Sequence, residues 1–189
     1  MQKQWFIITV LFPIVVFSQE NSTRIHLHTI VTVGMAAGES TVKPLGQLEA
    51  GVFHDRIFAG LGFGLDQYNF KSIPLFVDGR MHFGKARAVF VYGNGGYNFP
   101  YSNKNDDNDF FKTTDHFYGG FYMDAGIGYR IPVSPSHRVL FSAGYSQKNI
   151  GNKIGYTYPC LTPPCDETIY DYHYKLGRIV TKLSWEFGK

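Results

Sequence analysis

The chain has 189 residues, and its 18 lysine and arginine residues against 15 aspartate and glutamate residues give a formal net charge of +3 at pH 7. One domain of ordinary size fits this length. A small net charge without a clustered basic patch argues against nucleic acid and against a polyanionic substrate, so we predict no nucleic-acid partner.

Residues 1–18 have the features of a secretory signal peptide. Lys3 precedes an apolar run at residues 5–17, and the small residue Ser18 follows it. A helix that spans a bilayer needs about 20 apolar residues, so this run is too short for a permanent anchor. We predict cleavage after Ser18, which leaves residues 19–189 as the mature domain.

From residue 29 onward, apolar or aromatic residues alternate with small or polar residues, and this period of two is typical of β-strands. Eight strands are predicted, at residues 29–36, 46–54, 57–68, 73–83, 87–99, 118–131, 138–148 and 176–187. Three connections are predicted to be tight turns, at residues 54–56, 84–86 and 132–137. The connections from strand one to two, five to six and seven to eight are longer. Short turns at the periplasmic end and long loops at the outer end are typical of outer-membrane barrels.

The alternation also divides the predicted strands into two faces. In strand eight, Ile179, Leu183 and Trp185 share one face, whereas Lys182 and Glu186 share the other. A soluble barrel would place the charged face outside. Charges at mid-strand, aromatic residues at strand ends and an aromatic closing segment favour a barrel that faces lipid instead. We therefore predict an all-β fold, an eight-stranded antiparallel up-and-down transmembrane β-barrel.

Four motifs rich in glycine and aromatic residues lie on the predicted strands: GLGFGLD at 60–66, PLFVDGR at 74–80, GFYMDAGIGYR at 120–130 and LSWEF at 183–187. Together they resemble the small outer-membrane protein β-barrel family, of the OmpX and OmpA barrel type, over nearly the whole mature domain. The resemblance implies an eight-stranded barrel in the outer membrane of a Gram-negative bacterium. It also implies a C-terminal signal that the barrel-assembly machinery reads, and often no assigned activity.

Eight strands enclose room for side chains and little else, so the inward face is expected to fill the lumen. That face carries five acids and five bases: Glu49, Asp66, Asp78, Asp124 and Glu186 against Arg80, Arg130, Arg138, Lys148 and Lys182. A buried charge without a partner is costly, whereas a balanced and hydrogen-bonded set is tolerable. We interpret these residues as a structural ion-pair network, with an ion path as the alternative. Gly60, Gly62 and Gly64 are expected to make room for His82, Arg80 and Asp78 opposite them.

Cys160 and Cys165 flank a proline-rich segment, and in an exported chain they are predicted to form a disulfide. A zinc site would need two further ligands, and His173 is the only nearby candidate. His26 and His28 could bind a metal with help from other residues, but a polar tail before strand one is the favoured interpretation.

Neither a catalytic group nor a cofactor site is predicted. Some small outer-membrane barrels modify lipid A, which requires a serine near a histidine with an acid behind it. Ser142 is expected to face the lumen and His116 to lie in a loop, so no such group assembles. Residues 105–109 have acidic spacing like that of a calcium loop but lack its glycine and its closing glutamate, which favours a solvated loop.

The longest predicted connection, at residues 149–175, is rich in tyrosine. Tyr170, Tyr172 and Tyr174 alternate with other residues in a strand pattern, and a structureless loop of this length is unusual in a compact domain. We predict that strands seven and eight continue beyond the membrane as an ordered hairpin with the cysteines at its tip. If Tyr174 and Leu176 face outward like Ile179, a β-bulge near Gly177 must change which face the alternate residues occupy.

These features predict a non-enzymatic integral outer-membrane protein with a closed, charge-paired lumen. Its surface-exposed loops would carry any recognition of a protein partner, and it would contact outer-membrane lipid and lipopolysaccharide. The alternatives are a lipid-modifying enzyme of the acylase or deacylase type, a narrow channel, and a soluble ligand carrier.

Overall fold

A computed structural model describes residues 26–38, 41–67, 70–84, 86–101, 112–157 and 166–188. Its eight strands are β1 (His26–Ala37), β2 (Val42–His54), β3 (Ile57–Asp66), β4 (Ser72–Phe83), β5 (Val89–Pro100), β6 (Lys112–Ser134), β7 (His137–Thr157) and β8 (Glu167–Gly188). Each strand pairs antiparallel with the next, and β8 pairs with β1 to close the barrel. The predicted all-β, eight-stranded up-and-down barrel is confirmed.

Tight turns lie at one end of the barrel, which we call the turn end; the opposite end is the loop end. Asp55 and Arg56 alone join β2 to β3. The backbone of Asp55 is left-handed, with φ of 51°. Aspartate tolerates this conformation better than most residues because its short side chain can hydrogen-bond locally. Gly84, with φ of 83°, serves the same purpose in the β4–β5 turn.

Outward and inward side chains differ sharply in chemistry. On β8, Ile179 is 64% exposed, whereas its neighbour Val180 and the charged residues Lys182 and Glu186 are buried. Large apolar residues are exposed in the same way on the outer faces of the other seven strands. A soluble barrel would have the opposite arrangement, so the exterior is suited to lipid.

Among the described residues, no helix has the length and hydropathy that crossing a membrane requires.

Several strand boundaries differ from the prediction. β1 and β2 are longer than expected, so their connection, predicted to be long, spans only 38–41. β6 begins at Lys112, inside a segment predicted as a loop. That part of β6 is largely polar and lacks the apolar alternation by which strands were recognised. The predicted ordered hairpin is confirmed, because β7 runs to Thr157 and β8 starts at Glu167.

The condition for a bulge near Gly177 was that Tyr174 and Leu176 face outward like Ile179, and the structure does not meet it. The β7–β8 register is continuous over the whole length of the hairpin. Leu176 therefore faces the lumen, where it packs against Ala36 and Val180. The parity change occurs in β6 instead, where two residues, Gly120 and Phe121, lie opposite the single residue Asn149 of β7.

The predicted pairing of the β3 glycines is also wrong. Gly60 lies opposite Asp78, and Gly62 lies opposite Phe76. The reason is the turn, because Asp66 pairs with Ser72 and so sets a different register from the one expected. A side chain at Gly62 would collide with the Phe76 ring. The glycine thus makes room for an aromatic ring rather than for an arginine.

Candidate functional site

Three groups of charged residues fill the lumen, and the first lies near the turn end. Glu186 accepts hydrogen bonds from Arg130, Nη2 to Oε1 at 2.6 Å and Nε to Oε2 at 3.0 Å. Nδ1 of His28 lies 2.6 Å from the same carboxylate. Arg138 adds a longer contact of 3.4 Å from the rim. One acid therefore binds several cationic or donating side chains from β1, β6 and β7.

The second group lies at mid-barrel around Arg80. Its Nε donates to Asp78 Oδ2 at 2.7 Å, and its guanidinium also pairs with Glu49. The guanidinium carbon lies 5.5 Å from the ring centre of Phe58 and 5.8 Å from that of Phe90. Both acids are buried, so Arg80 supplies the positive charge that two carboxylates require.

Asp124 holds the other half of the mid-barrel group. It forms an ion pair with Lys182 and accepts hydrogen bonds from the hydroxyls of Tyr92, at 3.0 Å, and Tyr122, at 3.2 Å. Gln47 donates in turn to the Tyr122 hydroxyl at 3.0 Å. Side chains from β2, β5, β6 and β8 thus meet across the lumen.

The third group lies near the loop end around Asp66. Asp66 pairs with Arg178 and lies 3.4 Å from Lys148 Nζ. Lys148 also donates to the Ser72 hydroxyl at 3.1 Å and to the Phe70 carbonyl at 3.0 Å. The three groups together occupy the lumen from end to end.

Nine of the ten residues predicted to line the lumen are buried: Glu49, Asp66, Asp78, Asp124, Glu186, Arg80, Arg130, Lys148 and Lys182. The tenth, Arg138, lies at the rim with 19% of its side chain exposed. Sequence reasoning missed Arg178, which is buried and paired with Asp66. An uninterrupted alternation from Val180 would have placed it on the lumen face.

Little free space remains among these side chains. A void of about 10 Å³ lies next to Lys182, with Thr32 and Ser142 on its wall. That volume is comparable to what one water molecule needs. Phe90, which lines this void, and Tyr122 elsewhere in the lumen are both almost completely buried. Closely packed side chains therefore surround this void.

Beyond the barrel, three strands continue as a separate sheet, which we call the protruding sheet. It consists of residues 112–119 of β6, 150–157 of β7 and 167–178 of β8. The β5–β6 pairing ends at Gly120, and the β1–β8 pairing ends at Ile179. Within the described residues, no strand pairs with either outer edge of this sheet.

Aromatic rings cover the face of the protruding sheet that continues the lumen side. Tyr170 contacts Tyr156 and Tyr172, with ring centres 6.0 and 6.4 Å apart. Phe70, from the β3–β4 connection, packs on Tyr174 at 5.3 Å. Tyr170 and Tyr172 are 44% and 43% exposed. This face therefore offers aromatic surface to solvent.

Polar residues predominate on the opposite face, which also carries the exposed Ile169. The Tyr118 hydroxyl donates to Asp171 Oδ1 at 2.6 Å and lies 3.2 Å from Nδ1 of His173. Lys153 Nζ is 3.8 Å from the other oxygen of Asp171. The hydrogen bond to Asp171 raises the pKa of Tyr118 to about 12.

The remaining candidates do not combine into a reactive group. His28 bonds to Glu186 in the lumen, and His26 belongs to β1 rather than to a polar tail, which corrects that interpretation. Ser142 lines the small lumen void. No three histidine, cysteine, aspartate or glutamate residues in the described ranges could together hold a metal ion. Cys160, Cys165 and residues 105–109 lie outside the described ranges, so the disulfide stays a prediction.

Comparison with known proteins bears on the fold. No protein-family model and no curated protein matches the chain. The solid-state NMR structure of the outer-membrane protein AlkL in lipid bilayers is similar at 10% identity and a TM-score of 0.51, covering 89% of this chain and 91% of AlkL. The crystal structure of OprG from Pseudomonas aeruginosa is similar at 9% identity and a TM-score of 0.50, covering 87% of this chain and 95% of OprG. The chain thus has the fold of the small outer-membrane β-barrel proteins.

Proposed function

We propose that this protein is exported through its N-terminal signal peptide and resides in the outer membrane of a Gram-negative bacterium. There it acts without enzymatic activity, as a closed barrel that recognises other proteins through its protruding sheet. The barrel-assembly machinery would be its partner during insertion, as the resemblance implies.

The filled, charge-paired lumen carries the first half of this proposal. Each of the five lumen acids lies against at least one base. An eight-stranded barrel has an interior just wide enough for side chains, so cross-lumen pairs leave no continuous path for ions. The outer apolar surface supports residence in a membrane.

A conductance measurement tests the closed lumen. Purified protein should migrate as a heat-modifiable band in unboiled gels and should open no sustained pore in planar bilayers, with a porin as positive control. Steady unit conductance from the folded protein would contradict the closed lumen and would favour a narrow channel. Recovery in the soluble fraction of cells, away from the outer membrane, would contradict the proposed location.

The protruding sheet supports the second half of the proposal, the recognition of other proteins. Its outer edges present backbone donors and acceptors that no described strand uses, and such an edge is a template for an added strand. Aromatic side chains beside it supply large contact area at low cost in conformational entropy. We infer that the partner contributes an extended polypeptide segment that pairs along residues 167–178 of β8.

Selection of peptides from a random displayed library, against the barrel in nanodiscs, tests this recognition. Selected peptides should slow amide hydrogen exchange across residues 167–178. They should lose affinity when Tyr170, Tyr172 and Tyr174 are changed to serine. The matched control changes three residues of the opposite face, Asp171, His173 and Lys175, to serine, and it should retain binding. Equal binding to both variants, or no selectable peptide, would contradict the proposal.

A further inference from the structure

A cleft of about 420 Å³ opens beside the β6 bulge, on the outer surface of β6, β7 and β8. Gly119 and Gly120 contribute no side chains to it, and Tyr118 and Phe121 stand on either side of them in the chain. Lys175 of β8 lies at the same cleft. The bulge therefore produces a cavity with aromatic walls and a cation beside it.

This cleft lies where the apolar outer surface gives way to the polar face of the protruding sheet. On β8 the last outward apolar residue before the polar stretch is Ile179, and Lys175 and His173 follow it toward the loop end. On β6, Phe121 belongs to the bulge itself and is 51% exposed. The Tyr145 hydroxyl lies over Gly177 at the same level. Tyrosines in this position are typical of the interfacial girdle of membrane barrels, so the cleft lies at headgroup height.

The local charge is positive. Lys175 is exposed and makes no ion pair with any described residue, and Asn149 lies directly opposite it on β7. The nearest acid on this face, Asp171, already binds Tyr118 and Lys153. Lys175 is thus available to an anion from outside the chain.

We propose that this cleft binds the phosphate of an outer-leaflet glycolipid, with an acyl chain of that lipid along Phe121. The ammonium group of Lys175 forms an ion pair with the phosphate, and Asn149 and His173 make further polar contacts with it. A lysine is a compact cation that binds phosphate as a point charge. An aromatic wall beside a cation suits a ligand with an apolar chain and an anionic head. This site rests on the proposed placement in the outer membrane and specifies the lipid class that contacts the barrel there.

A titration of the refolded full chain tests the site. Lipid A is added to the protein in zwitterionic detergent, and the amide shifts of Gly119, Gly120 and Lys175 are followed by NMR. Lys175→Gln should weaken binding about tenfold, the change expected from the loss of one charged hydrogen bond. Lys175→Arg should bind within about twofold of wild type, because the charge is kept. The matched control is Lys43→Gln, at an exposed lysine of β2, which should leave binding unchanged.

Two further arms identify the ligand. Lipid A without its phosphates should bind at least about tenfold more weakly than lipid A with them. Inorganic phosphate alone should shift the same amides only weakly. Equal binding of both lipid forms, or an unchanged affinity in Lys175→Gln, would overturn the site. If inorganic phosphate bound as tightly as lipid A, the proposal that the bound phosphate belongs to a lipid would be overturned. All titrations use protein that has first been shown to be a heat-modifiable barrel. A failure to fold would contradict the proposed function, whereas a failure of a folded barrel to bind lipid A would contradict only this site.

Discussion

Removal of Arg80 tests how the barrel tolerates charge in its lumen. In Arg80→Ala the carboxylates of Glu49 and Asp78 lose their shared cation while both stay buried. Breaking a buried ion pair by removing one partner costs about 3–5 kcal/mol, because the remaining charge is uncompensated. The guanidinium also leaves the rings of Phe58 and Phe90, which removes two cation–π contacts. We expect the free energy of unfolding to fall by an amount in that range.

Arg87→Ala is the matched control. Arg87 pairs with Asp55 at 2.8 Å, but the two side chains are 44% and 62% exposed. Exposed pairs of this kind contribute about 0.2–1 kcal/mol. A second control replaces Arg80 together with its two acids, as Glu49→Gln, Asp78→Asn and Arg80→Met. It should recover much of the loss, because neutral side chains of similar volume leave no unpaired charge.

Urea titration of the refolded variants in detergent micelles, followed by tryptophan fluorescence, measures these differences. Trp185 lies on the outer face of β8 and reports on the barrel wall. Equal unfolding midpoints for Arg80→Ala and Arg87→Ala would refute the interpretation of the lumen as a stabilising ion-pair network. A triple variant as unstable as Arg80→Ala would show that unpaired charge does not cause the loss.

Three other predictions concern the wall and the protruding sheet. Gly62→Val should lower the free energy of unfolding by about 1–3 kcal/mol through overpacking against a facing ring, whereas Gly93→Val, where nothing lies within 4 Å, should have little effect in the same titration. Carbon-13 NMR of labelled tyrosine should show Tyr118 deprotonating near pH 12, and Asp171→Asn should move that titration down toward the usual value of a tyrosine; an unchanged titration would mean that the Asp171 bond does not set it. Mass spectrometry of non-reduced tryptic fragments should show the predicted disulfide between the two cysteines, and hydrogen exchange should show slow amides on both of its flanks. Free thiols would contradict the disulfide.

The strand faces could be predicted from the sequence because side chains alternate with a period of two. Because Asp78 and Arg80 are two positions apart on one strand, assigning Asp78 to the lumen also assigns Arg80 to it. Lys182 and Glu186, four positions apart, share a face for the same reason. Alternation no longer predicts the faces where a bulge shifts the strand by one residue. It also gives no prediction where successive residues are all polar. The polar start of β6 was therefore predicted as a loop, and the parity of β8 was left conditional at Gly177.

Registers between strands could not be predicted in the same way, because alternation is unchanged when a hairpin shifts by an even number of residues. The β3–β4 pair shows this. Both the expected and the observed registers keep Gly60, Gly62 and Gly64 on the lumen face, yet only the observed one places Gly62 against Phe76. Which side chains form ion pairs across the lumen therefore depends on turn geometry, which the sequence pattern does not encode.

The protruding sheet follows from strand length. β6, β7 and β8 have 23, 21 and 22 residues, whereas β1 has 12 and β3 has 10. A tilted strand needs roughly 9–11 residues to cross a membrane, so about half of each long strand must lie beyond it. The three long strands are neighbours in the barrel, so their surplus residues pair with one another and with no other described strand. Three-stranded pairing keeps the surplus ordered, leaves the two edges without a described strand partner, and leaves Tyr170 and Tyr172 partly exposed. The change along β8 from aliphatic residues to Lys175, His173 and Asp171 marks the level at which that surplus begins.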